Sequence, residues 1–308
     1  MNPTHDALLR KYVSRAPHMR DIGMAVTALG ADRGTMVLPD RPDWLGDPAR
    51  GLLHPGPLIV LADSACGLAV GAAMTQPTPY ATLDLRMDYL RPAGPGHDLH
   101  CEAHCYRMTR SVAFVRGEVW QRDRADPVAG VQATFMLSTP AGTHPSQHAA
   151  QRAAAEAPPP VWTAPTGDDP VLDQAEVPYV QYLGLRLARG GDQPLFRMPY
   201  DEKLIGNPRL PALHGGVVAG FAETAATLHL IRTLGGAKFP KCIDFSIDYL
   251  RAGRPEATYA ACEVVRQGAR VALVQVRCWQ GRGPEQPIVV ARGHFLLTEA
   301  EAAAPAGG

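Results

Sequence analysis

The sequence has no surplus of charge. Its 308 residues carry 30 Lys and Arg against 30 Asp and Glu, with no basic tract. Without such a tract the main electrostatic route to nucleic acid is closed, although local Arg sites for a phosphorylated ligand remain open. No GxSxG occurs, so nothing signals a hydrolase serine on a strand–helix turn. The 11 His include no HExxH and the six cysteines no CxxC, so no metal site is expected. Cys66, Cys242, Cys262 and Cys278 sit singly in apolar segments. Cys101 and Cys105 share one face of a predicted strand, and all six are expected to be free thiols. No apolar run is read as long enough to span a membrane, and residues 1–20 lack the apolar core of a signal peptide. The expectation is a cytoplasmic protein without a membrane partner.

What the sequence does have is a repeat. At an offset of 160, "LGDP" (45–48) falls on "IGNP" (205–208) and "LHPGPLIVLADSA" (53–65) on "LHGGVVAGFAETA" (213–225). "LDLRMDYLR" (83–91) falls on "IDFSIDYLR" (243–251). With one residue of slippage, "RSVAFVRGEVW" (110–120) matches "ARVALVQVRCW" (269–279). The chain thus divides into a unit over 1–138, a linker over 139–176, a second unit over 177–299 and a disordered tail over 300–308. The linker is rich in Ala and Pro and has few large apolar residues, so it cannot build a core.

Both units have the same pattern. Residues 54–74 and 214–234 are apolar nearly all round, as a buried helix is. Residues 81–89 then alternate with period two, Ala81, Leu83, Leu85, Met87 and Tyr89 on one face and Thr82, Asp84, Arg86 and Asp88 on the other. In 241–249, Lys241, Ile243, Phe245, Ile247 and Tyr249 share a face opposite Cys242, Asp244, Ser246 and Asp248. Further strands are expected at 99–107, 111–121 and 128–137, and at 258–266, 270–280 and 287–297. The fold class is α+β, with an antiparallel sheet curling around a helix that needs cover on every side.

These motifs resemble the hotdog fold: a buried helix opened by His-Gly-Gly, a carboxylate nine residues after the His, then "DYLRPA" and a "VAFVxxEV"-like strand. The pattern is similar to acyl-CoA thioesterases of the phenylacetate-pathway type, present twice as a double hotdog. The resemblance implies hydrolysis of an acyl-CoA to free acid and coenzyme A, with no further cofactor and with two chains associating into a dimer of double hotdogs. It also implies that the N–H of the glycine after the His polarises the thioester carbonyl. A helix start has unpartnered N–H groups and partial positive charge, which suits that task. An Asn before the His would orient water, and the carboxylate would come from the partner unit.

Matched residue by residue, the second unit has Asn207, His214, Gly215 and Glu223. The first has Asp47, His54, Pro55 and Asp63. Proline has no N–H to give to an oxyanion, yet it is comfortable in a first helical turn. The crossed arrangement would make a competent site from Asn207, His214, Gly215 and Asp63. The other site would then hold Pro55 with two carboxylates, Asp47 and Glu223, raising the pKa of one. If carboxylates act within their own unit, Glu223 serves instead. The histidines could equally brace the loop or touch the substrate. Arg91, Arg110, Arg251 and Arg270 recur at matching positions, as coenzyme A phosphate ligands or as plain turn residues. Two rivals remain. One is a non-catalytic acyl-CoA-binding module. The other is a hotdog enoyl-CoA hydratase, for which an Asp five residues before the His would be expected, whereas Asp47 and His54 are seven apart.

Overall fold

The computed structural model describes residues 16–76, 78–137, 168–169, 177–188, 194–207, 211–235 and 238–299. The first repeat opens with a short helix, α1 (Pro17–Asp21), and strands β1 (Ala25–Leu29) and β2 (Arg33–Leu38). The small hairpin β3 (Leu45–Asp47) and β4 (Leu52–Leu53) leads into the long helix α2 (Pro55–Ala73). Strands β5 (Tyr80–Tyr89), β6 (Leu99–Met108), β7 (Val112–Trp120) and β8 (Ala129–Leu137) follow.

The second repeat has the same order. A two-residue strand, β9 (Asp168–Asp169), precedes α3 (Pro178–Tyr182), β10 (Arg186–Ala188) and β11 (Leu195–Met198). The hairpin β12 (Ile205–Asn207) and β13 (Ala212–Leu213) leads into α4 (Gly215–Thr233). Strands β14 (Lys238–Tyr249), β15 (Thr258–Gln267), β16 (Val271–Trp279) and β17 (Val289–Glu299) complete it. The expected linker and tail lie outside the described residues, except that β9 within the linker pairs with β10 at the sheet edge.

The large strands form one antiparallel sheet in the order β1-β2-β6-β7-β8-β5-β14-β17-β16-β15-β11-β10-β9. The two halves join where β5 pairs with β14, and Arg86 stands opposite Ser246, its own counterpart in the repeat. A pseudo-two-fold axis therefore passes between these residues. α2 packs on the strands of its own repeat, α4 on those of the second, and the two helices pack against each other. This is the hotdog arrangement, twice.

Close approach of the helices depends on glycine. A Cβ on Gly216 would stand 2.6 Å from Val60 Cα, where only backbone could yield. A Cβ on Gly56 would overlap the ring of Tyr179, which is fully buried.

Two sequence expectations need correction. α2 is, by length and hydropathy, long and apolar enough to cross a membrane. It is nearly all buried inside the fold, where a helix apolar on every side belongs. The period-two faces of β5 and β14 are also interrupted. Register shifts occur between Thr82 and Asp84 and between Cys242 and Asp244. Each β-bulge turns the residue before it toward the helices. Thr82 and Cys242 leave their expected polar faces for the interior, while Ile243 is 40% exposed.

Candidate active site

α4 begins against a side chain of the other repeat. His214 is its N-cap, with Nδ1 accepting the Gly216 N–H at 3.0 Å. A ring nitrogen that accepts carries no proton, so the proton lies on Nε2. Nε2 is 3.2 Å from Ser64 Oγ, whose own hydroxyl donates to the Val60 carbonyl at 2.7 Å. Burial lowers the pKa of His214, which keeps this tautomer neutral. His54 caps α2 in the same way, accepting the Gly56 N–H at 2.9 Å, and burial pushes its pKa down to about 3.

The structure brings Asp63, from α2, to the start of α4. Its Oδ2 accepts the Gly216 N–H at 2.9 Å, and its Oδ1 accepts the Thr82 hydroxyl at 3.0 Å. His214 Nδ1 is 3.7 Å from Oδ2. The neighbouring Gly215 N–H has no acceptor among the described residues, as expected of a first-turn amide. A Cβ on Gly215 would stand 3.0 Å from Asp63 Oδ2. Tyr249 fixes this glycine by donating to its carbonyl at 3.0 Å. Asn207 lies on β12, which pairs with the β13 strand leading into His214. One end of the helix pair therefore gathers Asn207, His214, Gly215 and Asp63, a carboxylate beside a free backbone donor.

The other end is built differently. Glu223, from α4, is fully buried near the start of α2. Its Oε2 accepts the Tyr89 hydroxyl at 2.8 Å, and its Oε1 has no hydrogen-bond partner among the described residues. The Cys242 thiol adjoins it, in the place that Thr82 takes beside Asp63. Desolvation raises the Glu223 pKa from 4.5 to about 7. The expected cause, a second carboxylate at Asp47, is therefore wrong. Asp47 is paired with Arg50 at 3.3 Å, and burial alone makes the charge on Glu223 costly.

This shift makes stability pH-dependent. The folded protein holds the Glu223 proton more tightly than the unfolded chain, so its contribution is full below pH 4.5 and is lost as pH rises through 7. Glu223→Gln, which mimics the protonated acid, is expected to raise Tm by roughly 5 °C at pH 8 and to change it little at pH 5. Thermal melts of both proteins at the two pH values check this; an equal shift at both would mean that the glutamate is not titrating.

The four arginines fall into two crossed groups. Register places Lys241 opposite Leu296, and Leu296 opposite Val271. Arg91, just beyond the end of β5, and Arg270, just before β16, thus share the Pro55 end. Ala81 pairs with Met136 and Met136 with Val112, so Arg251 and Arg110 share the Gly215 end. Arg91 is ion-paired with Asp126 at 3.0 Å, and Arg251 donates to the Pro287 carbonyl at 2.7 Å. Both fasten turns.

Several site neighbours escaped the sequence reading: Ser64, Thr82, Tyr249, Tyr89, Cys242, His18 and Tyr179. The His18 and Tyr179 rings, at matching places in the repeat, lie 5.3 Å from His214 and 4.6 Å from His54 respectively. The tyrosine of each "DYLR" phrase was the available signal, since a polar group recurs there on an otherwise apolar face.

Comparison with known proteins gives one family match per repeat. Residues 50–128 match the thioesterase superfamily, and residues 207–296 match the acyl-CoA thioesterase N-terminal domain. The medium/long-chain acyl-CoA thioesterase YigI of Escherichia coli K12 is 27% identical over 139 residues, covering 41% of this chain and 88% of that protein. A candidate thioesterase from Novosphingobium aromaticivorans superposes with a TM-score of 0.62 at 14% identity, over 89% of this chain and 98% of that one. A hot dog fold protein from Alicyclobacillus acidocaldarius gives 0.60 at 12% identity, over 93% and 97%. At such identities the structures speak for the fold.

Proposed function

Because the chain belongs to the thioesterase superfamily, with two hotdog units in tandem and thioester hydrolysis as its activity class, we propose that its substrate is an acyl-CoA, cleaved where Asp63 meets the start of α4. The observation that carries this reading is the Gly215 N–H, left without an acceptor among the described residues, beside a carboxylate from the other repeat. An amide so placed stabilises an oxygen as it gains charge in the transition state. Asp63 takes a proton from water as the water adds to the carbonyl carbon. The carbon–sulfur bond then breaks, and the departing coenzyme A thiolate takes up a proton. Asn207 orients the water. His214 works through its neighbours, as cap and as brace for Ser64, rather than as a base. The protein is cytoplasmic in this reading, and its chains pair into a dimer of double hotdogs.

A free-thiol assay on short, medium, long and aromatic acyl-CoAs tests the reading, and the E. coli relative makes medium and long chains the first to try. Coenzyme A release is expected. Saturable binding without thiol release would favour a binding module, and addition of water to an enoyl-CoA with the thioester intact would favour a hydratase. Single-turnover hydrolysis in oxygen-18 water separates base from nucleophile: direct attack, followed by water opening the mixed anhydride at the Asp63 carbonyl, leaves the label in Asp63 and releases unlabelled acid, whereas a general base leaves the label in the acid.

A further inference from the structure

The Pro55 end of the helix pair has lost its donor but has a pocket. A cavity of about 390 Å³ opens there beside His54 and Pro55. Leu58, Val180, Leu228, Ile231 and Phe239 give it an apolar wall, and Arg91 and Lys241 also line it. The pseudo-two-fold axis maps this end onto the Asp63 site: His54 onto His214, Thr224 onto Ser64, Tyr89 onto Tyr249. Asp47 stands in the place of Asn207 and Cys242 in that of Thr82. Pro55 replaces Gly215, and the carboxylate, Glu223, is held back by Tyr89 with no exposed surface.

We propose that this cavity is a second acyl-CoA site, which holds the thioester without cleaving it. The acyl chain lies along the apolar wall and the coenzyme A phosphates lie toward Lys241. The proposal rests on acyl-CoA being the substrate at the Asp63 site. Binding and turnover need different things. An apolar chain gains from leaving water whether or not an oxyanion donor is present, whereas turnover requires interactions made only in the transition state. Pro55 removes that donor and leaves the wall untouched. Glu223 is absent from the lining, and burial favours its neutral form; the carboxylate that does line the cavity, Asp47, is ion-paired with Arg50 at 3.3 Å. Lys241 is exposed and meets no acidic partner among the described residues, which suits it to a phosphate.

The probe is a decanoyl-CoA analogue with a methylene inserted between sulfur and carbonyl, which cannot be hydrolysed. Equilibrium dialysis is expected to find two equivalents per chain in the unaltered protein and one in Leu228→Trp, where the indole fills the slot. Lys241→Glu is expected to weaken one of the two at least fivefold. Two equivalents that both survive Leu228→Trp, or a single equivalent that survives it, overturn the proposal. Should Leu228→Trp not fold, the unaltered protein supplies its own reporter. Cys242 lines the cavity and is partly exposed, while the other five cysteines are buried. Saturating analogue is expected to slow the reaction of Cys242 with methyl methanethiosulfonate at least tenfold, read by mass spectrometry, and an unchanged rate sinks the idea. The two readings fail separately. A single equivalent that Leu228→Trp abolishes supports this site and overturns the Asp63 site. Two bound equivalents with no thiol released from decanoyl-CoA overturn hydrolysis and leave the cavity standing.

Discussion

Gly215→Pro is expected to lower kcat for acyl-CoA hydrolysis a hundred- to a thousandfold while shifting Tm by no more than a few degrees. The rate loss follows from removing one backbone donor to the developing oxyanion. The small stability cost follows from position. Residue 215 is the first of its helix, where proline's fixed φ fits and its missing N–H breaks no helical hydrogen bond. The first repeat already carries proline at the same place, Pro55. Steric crowding needs a control, because a Cβ on Gly215 would stand 3.0 Å from Asp63 Oδ2. Gly215→Ala adds that Cβ and keeps the N–H, so it should lose far less activity than the proline variant. Equal losses in steady-state kinetics would assign the effect to displacement of Asp63 and remove the oxyanion role from residue 215.

Asp63→Asn is expected to cost about a thousandfold in kcat, within the range for loss of a positioned general base. The amide still fits among Thr82, Gly216 and His214, so KM should move little. Glu223→Gln, made in parallel, should keep activity within a few-fold, because Glu223 lies fully buried against Tyr89 at the other end of the helix pair. The two variants are a matched pair at corresponding places in the repeat. Activity that survives at position 63 and collapses at 223 would move the chemistry to the Pro55 end.

These expectations draw unequally on sequence and fold. The repeat at offset 160 by itself determined that there are two units. The all-round apolar runs determined the two long helices to within a residue or two of Pro55–Ala73 and Gly215–Thr233. The absent amide hydrogen at Pro55 is likewise a property of the residue type, known before any coordinates. Which carboxylate meets which helix start was left open, because that depends on contacts between residues some 150 positions apart. The pairing of β5 with β14 about Arg86 and Ser246 decides it, setting α2 against α4 so that Asp63 reaches the Gly216 N–H. Thr82 and Cys242 were assigned to the wrong face because period-two reasoning assumes an unbroken register, and a bulge adds a residue without any mark in composition. The protonation of Glu223 also belongs to tertiary structure. Its sequence neighbours and the expected partner Asp47 say nothing of it; only burial, with Tyr89 as its hydrogen-bond donor, makes the charge expensive.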